Sequence, residues 1–70
     1  MLVLEFRRRE RGWSQHQLSV LARFHQPTLS LTEQGRYVPT PDQLARLAQA
    51  IGVSVDEVLK PVTDVVVGVS

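Results

Sequence analysis

The apolar positions of this chain recur with the period of an α-helix over most of its length. The clearest run has the spacing i, i+3, i+4, i+7 and consists of Leu44, Leu47, Ala48 and Ile51. Leu18 and Ala22 follow the same rule earlier in the chain. This period predicts five helices, at about residues 2–11, 14–22, 26–34, 41–51 and 55–60. Because the connections between them are short, neighbouring helices are expected to pack at steep angles into one all-α bundle.

Polar residues and glycines mark the ends of these helices. Three pairs have the spacing of a capping box: Ser14 with Gln17, Thr40 with Gln43, and Ser54 with Glu57. In a capping box the first side chain accepts a hydrogen bond from the backbone three residues on, and the second accepts one from the backbone of the first. A glycine follows three of the apolar-periodic segments, at Gly12, Gly35 and Gly52, which suits the left-handed residue after a helix.

The pattern changes after Pro61, where β-branched residues replace the helical period. In an extended strand one face would carry Thr63, Val65, Val67 and Val69. A single strand is not stable alone, so this segment is either a short C-terminal β-strand paired with another chain or a frayed tail. The chain therefore divides into a domain at residues 1–60 and a valine-rich tail at residues 61–70, which is a dimer arm or disordered.

The composition is that of one small globular domain, with 70 residues of which 43% are hydrophobic and 21% charged. The absence of cysteine excludes a disulfide scaffold and thiolate zinc or redox chemistry. His16 and His25 have no acidic residue close by in the sequence, and Ser14 near His16 lacks an orienting acid. We therefore expect no metal, no other cofactor and no enzymatic activity.

The distribution of charge points to a polyanionic partner. Residues 1–40 contain six arginines and three glutamates, whereas residues 41–70 contain one arginine, one lysine and four acidic residues. A polyanion would meet the basic N-terminal part first. The longest apolar run is too short to span a bilayer, and we identify no targeting segment. A cytoplasmic protein without a membrane partner is expected.

Residues 14–35 have the layout of a helix-turn-helix, with two short helices joined by a turn at residues 23–25. Around this unit stand RGWSQ at residues 11–15, Leu18, TLS at 28–30, EQGR at 33–36 and Pro39, and LAQAIGVSVD at 47–56 continues the pattern in register. This set resembles the phage-repressor-like (Xre/Cro-type) helix-turn-helix DNA-binding family over about residues 2–60. The resemblance implies a compact five-helix bundle of the lambda-repressor-like kind that binds double-stranded DNA.

In this family the second helix of the motif lies in the major groove. The resemblance assigns base contacts to Gln26, Pro27, Thr28 and Leu31. Gln26 can donate to and accept from adenine, Thr28 can meet a base edge or a thymine methyl, and Leu31 offers apolar contact. In the alternative interpretation Gln26 only caps its helix and Leu31 belongs to the core.

Other residues of the family pattern fix the docking. The resemblance implies phosphate contacts by Gln15, Arg36 and Tyr37, of which Arg36 and Tyr37 are otherwise solvated loop residues. Arg8 and Glu33 match a partly buried ion pair that ties the first helix to the end of the reading helix.

The chain also departs from the family pattern. Arg23 stands where the turn usually has glycine, so a left-handed residue there would be strained. His25 replaces the usual Ser or Thr cap and caps less well. Val20 and Leu21 are apolar where the family tends to be polar.

The resemblance implies a repressor that binds an approximately palindromic operator as a homodimer. Candidate dimer residues are Val55, Val58, Leu59, Val65 and Val67. Of the three in the fifth predicted helix, Val58 is expected to be the most exposed, and ordinary core is the alternative for all three. A second function class is an antitoxin or other protein-interaction module on the same fold, which would use Val20, Leu21 and the valine tail to bind a toxin or other partner.

Overall fold

The computed structural model of the chain describes residues 1–62, and these contain four α-helices. They are α1 (Val3–Glu10), α2 (Gln15–Leu21), α3 (Gln26–Glu33) and α4 (Pro41–Ile51). Each of them begins and ends within one residue of a helix predicted from the apolar period. The all-α class and four of the five predicted helices are therefore confirmed.

The predicted helix ends are formed largely by local hydrogen bonds. The Ser14 hydroxyl accepts from the Gln17 N–H at 3.1 Å, and Gln17 Oε1 accepts from the Ser14 N–H at 2.8 Å. Thr40 and Gln43 make the same reciprocal pair of bonds at 3.2 and 2.9 Å. The glycines that follow α1, α3 and α4 adopt the predicted left-handed backbone, with φ of 71° at Gly12, 77° at Gly35 and 75° at Gly52. The hydrogen bonds of the two capping boxes satisfy backbone N–H groups that the start of a helix leaves unpaired.

The fifth predicted helix is wrong, because residues 55–59 form successive turns. The capping box at its start is incomplete. The Ser54 hydroxyl donates to Glu57 Oε1 at 3.2 Å instead of accepting from the Glu57 N–H, which binds the Ser54 carbonyl at 3.0 Å. A segment this short forms few helical hydrogen bonds, so nucleating a helix there is unfavourable.

Residues 54–62, called here the turn segment, provide backbone acceptors for the start of α1. The Lys60 carbonyl accepts a hydrogen bond from the Val3 N–H at 2.7 Å, and the Val58 carbonyl accepts one from the Leu4 N–H at 3.0 Å. The N-cap residue of α1, Leu2, makes no side-chain capping bond. The turn segment therefore caps α1 with its own carbonyl groups.

The described chain ends beside its own beginning. Pro61 and Leu2 form a single antiparallel β-bridge, and the Val62 N–H donates to the Met1 carbonyl at 3.0 Å. No longer strand is present among residues 1–62. The remainder of the predicted C-terminal strand, with Val65 and Val67, lies outside the described residues.

The hydrophobic core contains at least one fully buried apolar side chain from each of the four helices and one from the turn segment. These are Leu4, Leu18, Leu29, Leu47, Ile51 and Val58. The helices α2 and α3 pack on each other, and α1 packs on α4. The expectation that Val58 is exposed is wrong, because its exposed fraction is 0%. The Val58 carbonyl accepts the hydrogen bond from the Leu4 N–H, and the Val58 side chain lies in the core.

Within residues 1–62, no helix has the length and apolar character needed to cross a membrane.

Candidate nucleic-acid interface

The helix-turn-helix unit consists of α2, a turn at residues 22–25 and α3. Leu18 of α2 and Leu29 of α3 are fully buried, as is most of Ala22 and Phe24 in the turn. These side chains belong to one core cluster, so the two helices are held in a fixed relation. The opposite side of α3 is free within the described part of the chain.

The outward side of α3 carries the residues predicted to meet bases. Gln26, Pro27 and Leu31 are exposed, and Thr28 is half-buried. Leu31 has an exposed fraction of 39%, so the alternative that it is a core residue is wrong. The side chain of Gln26 makes no capping bond to the helix, whose N-cap residue His25 makes none either. All four side chains therefore lie at or near the surface of one helix.

Two further residues share this outward side, and sequence reasoning missed them. Gln34 is exposed and donates from Nε2 to the half-buried Ser30 Oγ at 3.1 Å. The available signal was their helical spacing, since Ser30 and Gln34 stand three and seven residues after Pro27. The exposed surface of α3 thus extends to its last turn and includes a polar pair.

Glu33 joins three elements through hydrogen bonds to its carboxylate. Arg8 of α1 donates twice, from Nε to Oε2 at 2.7 Å and from Nη2 to Oε1 at 3.1 Å. Gln15, at the start of α2, donates from Nε2 to Oε1 at 2.9 Å. The Arg8 and Glu33 side chains have exposed fractions of 10% and 3%. The ion pair expected from the resemblance is thus present as a bidentate, largely buried contact.

The three residues predicted to contact phosphates differ in what their side chains already bind. Gln15 is half-buried and uses one of its two amide hydrogens on Glu33. Arg36 is exposed and forms no ion pair within residues 1–62. Tyr37 is half-buried and donates its hydroxyl hydrogen to Gln43 Oε1 at 2.8 Å. While that bond holds, the Tyr37 hydroxyl has no hydrogen to donate to a phosphate.

Tyr37 is also fixed by the core beneath it. Its ring meets that of Phe24 edge-on, with 6.5 Å between centroids. The bond to Gln43, which the sequence did not indicate, is the second hydrogen bond to Gln43 Oε1, which also accepts from the Thr40 N–H at the start of α4. The loop that bears Arg36 is therefore tied both to the turn of the helix-turn-helix unit and to the start of α4.

The exposed charges on the helix-turn-helix unit and the loop after α3 are all positive. Between Arg11 and Pro41 the only acidic residue is Glu33, which is buried against Arg8. Arg23 and Arg36 are exposed on the same stretch. Two arginines of α1 are instead neutralised by neighbouring glutamates, since Arg7 pairs with Glu10 at 2.9 Å and Arg9 pairs with Glu5 at 2.6 Å. The exposed helix-turn-helix surface is therefore cationic without an exposed carboxylate and suits a polyanion.

The three candidate dimer residues within residues 1–62 differ in their exposure. Val55 has an exposed fraction of 44%, Leu59 is half-buried, and Val58 is buried. Val65 and Val67 lie outside the described residues. Among the side chains of residues 1–62, no group of three or more histidine or acidic residues could hold a metal ion.

Comparison with known proteins assigns the class. A helix-turn-helix domain family matches residues 3–60, and the chain belongs to this family. The chain is also similar to a protein of Sinorhizobium fredii named as an uncharacterized HTH-type transcriptional regulator, y4dJ. The two are 44% identical over 54 residues, which cover 77% of this chain and 70% of the relative. No solved structure matches the chain.

Proposed function

We propose that this protein is a sequence-specific regulator of transcription that binds double-stranded DNA, and that it is a repressor of the Xre/Cro type. The observation that carries the proposal is the outward side of α3, where Gln26, Thr28 and Leu31 lie on a surface without an exposed carboxylate. Membership in the helix-turn-helix family and the similarity to a protein named as a transcriptional regulator support it.

In the proposed complex α3 enters the major groove and its first turn reads the bases. Gln26 donates to and accepts from one adenine, which few other side chains can do. Thr28 meets a neighbouring base edge, while Pro27 and Leu31 pack on thymine methyl groups. The exposure of Gln26, Pro27 and Leu31 supports these roles.

Phosphate contacts hold α3 in the groove without reading sequence. Gln15 is proposed to donate its second amide hydrogen to a phosphate at the start of α2, and Arg36 to contact another from the loop after α3. Tyr37, which the resemblance also assigned to a phosphate, is proposed to act mainly by holding that loop. Its bond to Gln43 and its contact with Phe24 support this role.

The protein is proposed to act as a homodimer on a palindromic operator. A helix of eight residues is only about 12 Å long, so one α3 covers a few base pairs. Two copies with their reading helices roughly 34 Å apart would cover two half-sites one DNA turn apart. The exposed Val55 and half-buried Leu59 are the proposed dimer contacts of the domain at residues 1–60, and Val65 and Val67 those of the tail at 61–70.

Fluorescence anisotropy tests the proposal directly. The full chain is titrated against duplex DNA from upstream of its own gene and against a scrambled duplex, at two salt concentrations. We expect tight, salt-sensitive binding to the native duplex and weak binding to the scrambled one. Equal weak binding to both duplexes would contradict sequence-specific regulation from that site.

A second candidate function is binding of a partner protein, such as the toxin of a toxin–antitoxin pair. It is favoured by one observation, a groove of about 310 Å³ beside α2 that is lined by Trp13, His16, Gln17, Val20 and Leu21. Val20 and Leu21 have exposed fractions of 62% and 56%. The test compares the wild type with the double variant Val20→Ser/Leu21→Ser. The proposal is supported if a polypeptide encoded next to this gene co-purifies with the wild type and not with the double variant. Co-purification with both forms would contradict a role for this groove.

A further inference from the structure

Arg23 occupies a helix end that glycine occupies elsewhere in this chain. All four helices are followed by a residue with left-handed backbone. After α1, α3 and α4 that residue is a glycine, with φ between 71° and 77°, whereas after α2 it is Arg23, with φ of 52°. An L-residue in this region brings its Cβ too close to its own backbone, which glycine avoids.

Hydrogen bonds fix this backbone in place. The Phe24 N–H binds the Ser19 carbonyl at 2.8 Å, and the Arg23 N–H binds the Val20 carbonyl at 3.2 Å. These two bonds make the Schellman motif, which requires a left-handed residue at the position of Arg23. The end of α1 has the same pair of bonds around Gly12. Arg23 is therefore strained by a geometry that glycine would adopt freely.

No ion pair of the Arg23 side chain within residues 1–62 offsets this strain. The Arg23 side chain is exposed, and it forms neither an ion pair nor a hydrogen bond with any of residues 1–62. Arg8, by contrast, is held by Glu33 and the Trp13 carbonyl. Arg23 thus has no compensating ion pair or hydrogen bond within residues 1–62, and a contact with another molecule would supply one.

The position of Arg23 indicates what that molecule is. The residue stands three positions before Gln26, at the start of α3, on the surface that has no exposed carboxylate. The guanidinium is a planar fork of donors that binds phosphate oxygens in pairs. We propose that Arg23 contacts a backbone phosphate of the bound DNA at the edge of the groove that α3 enters. This inference rests on the proposed DNA-binding function.

Three substitutions separate the charge of Arg23 from its backbone strain. Arg23→Gly removes both, Arg23→Gln removes the charge and keeps the strain, and Arg23→Lys keeps both. We expect Arg23→Gly to raise Tm by roughly 4–8 °C, while Arg23→Gln and Arg23→Lys leave it near the wild-type value.

DNA affinity should follow the charge instead. Arg23→Gly and Arg23→Gln should each weaken binding roughly tenfold, equally for the native and the scrambled duplex, because a phosphate contact carries no sequence information. Each should lower the slope of log K against log salt by about 0.9 in magnitude. Arg23→Lys should retain the wild-type slope with a smaller loss of affinity, because it keeps the charge without the paired donors.

Lys60→Gln is the matched control for net charge. Lys60 is an exposed cation outside the helix-turn-helix unit, beside the first turn of α1. Its removal should leave the affinity and the salt slope unchanged. Wild-type affinity in Arg23→Gln, or an equal loss in Lys60→Gln, overturns the role of Arg23 while the proposed function stands. A wild-type chain that binds no duplex overturns the proposed function and this inference together.

Discussion

At the scale of single residues, Glu33 connects the fold to the candidate interface. Its carboxylate receives two hydrogen bonds from Arg8 and one from Gln15. The ion pair is largely withdrawn from solvent, so water compensates little for the loss of either partner. The same contact that ties α3 to α1 also orients the side chain proposed to grip a phosphate.

Glu33→Gln should therefore destabilise the domain severely. It leaves the buried guanidinium of Arg8 without a counter-charge, which costs about 3–5 kcal/mol of the free energy of unfolding. Urea denaturation followed by circular dichroism measures the loss. Glu10→Gln is the control, because it breaks the exposed pair with Arg7 and should cost no more than about 1 kcal/mol. Similar losses in the two variants would refute the special status of the buried pair.

Gln26 and Arg36 should have different effects on DNA recognition. Gln26→Ala removes a proposed bidentate base contact, so discrimination between native and scrambled duplex should fall by about 1–3 kcal/mol. Arg36→Gln should instead weaken binding to both duplexes and lower the salt slope by about 0.9. Anisotropy titrations at several salt concentrations distinguish the two. The assignment of Gln26 to a base fails if its replacement weakens both duplexes equally.

At the scale of elements, the turn segment at residues 54–62 packs against α1 and contributes to the core, as a fifth helix was expected to do, although it is not helical. Its carbonyl groups cap α1, and its Val58 side chain lies in the core. The period of apolar residues locates a buried residue in a short segment but does not decide between a helix and a series of turns. That choice depends on α1, whose first N–H groups need acceptors that its own N-cap lacks.

Val58→Ala should lower the free energy of unfolding by about 2 kcal/mol, because it removes two buried methyl groups and leaves a cavity. Val38→Ala is a matched change at an exposed position and should stay within about 0.5 kcal/mol of the wild type. Thermal or chemical denaturation of the two variants side by side makes the comparison. An unaffected Val58→Ala protein would mean that the turn segment is not part of the cooperative core.

At the scale of the whole molecule, the small domain leaves few surfaces for self-association. Helix faces not used in the core include the outward side of α3 and the apolar side of α2, and Val55 is the exposed apolar residue of the turn segment. If α3 meets DNA, the proposed dimer must use another surface. Of the proposed dimer contacts within residues 1–62, Val55 is the most exposed.

Deletion of residues 63–70 tests the tail as a dimer arm. The contacts described above hold within residues 1–62, so the shortened chain should keep its helical circular dichroism spectrum. We expect sedimentation equilibrium to show weaker self-association than in the full chain. Val55→Asp in the full chain should weaken it as well, whereas Val38→Asp should not. Unchanged association after the deletion would remove the tail from the interface.

Several parts of the candidate site could be predicted from the sequence because they follow from local spacing. Pro27 and Leu31 are exposed because they lie on the side of the helix opposite Leu29, and Gln26 is exposed in the first turn of α3. The bonds from Gln15 to Glu33 and from Tyr37 to Gln43 were not predicted. Each joins residues from different elements, and no local pattern specifies which polar partners such a packing brings together.

The four helices and the left-handed glycines follow from the sequence alone, because side-chain caps and apolar periods act within a few residues along the chain. The packing of distant elements was needed to establish that residues 55–59 are turns, that Val58 is buried and that Tyr37 is held by Gln43. These outcomes depend on which backbone and side-chain groups meet when distant elements pack. The position of Arg23 at a helix end can be predicted from the sequence. Its observed left-handed backbone, and the absence of a compensating ion pair within residues 1–62, required the structure.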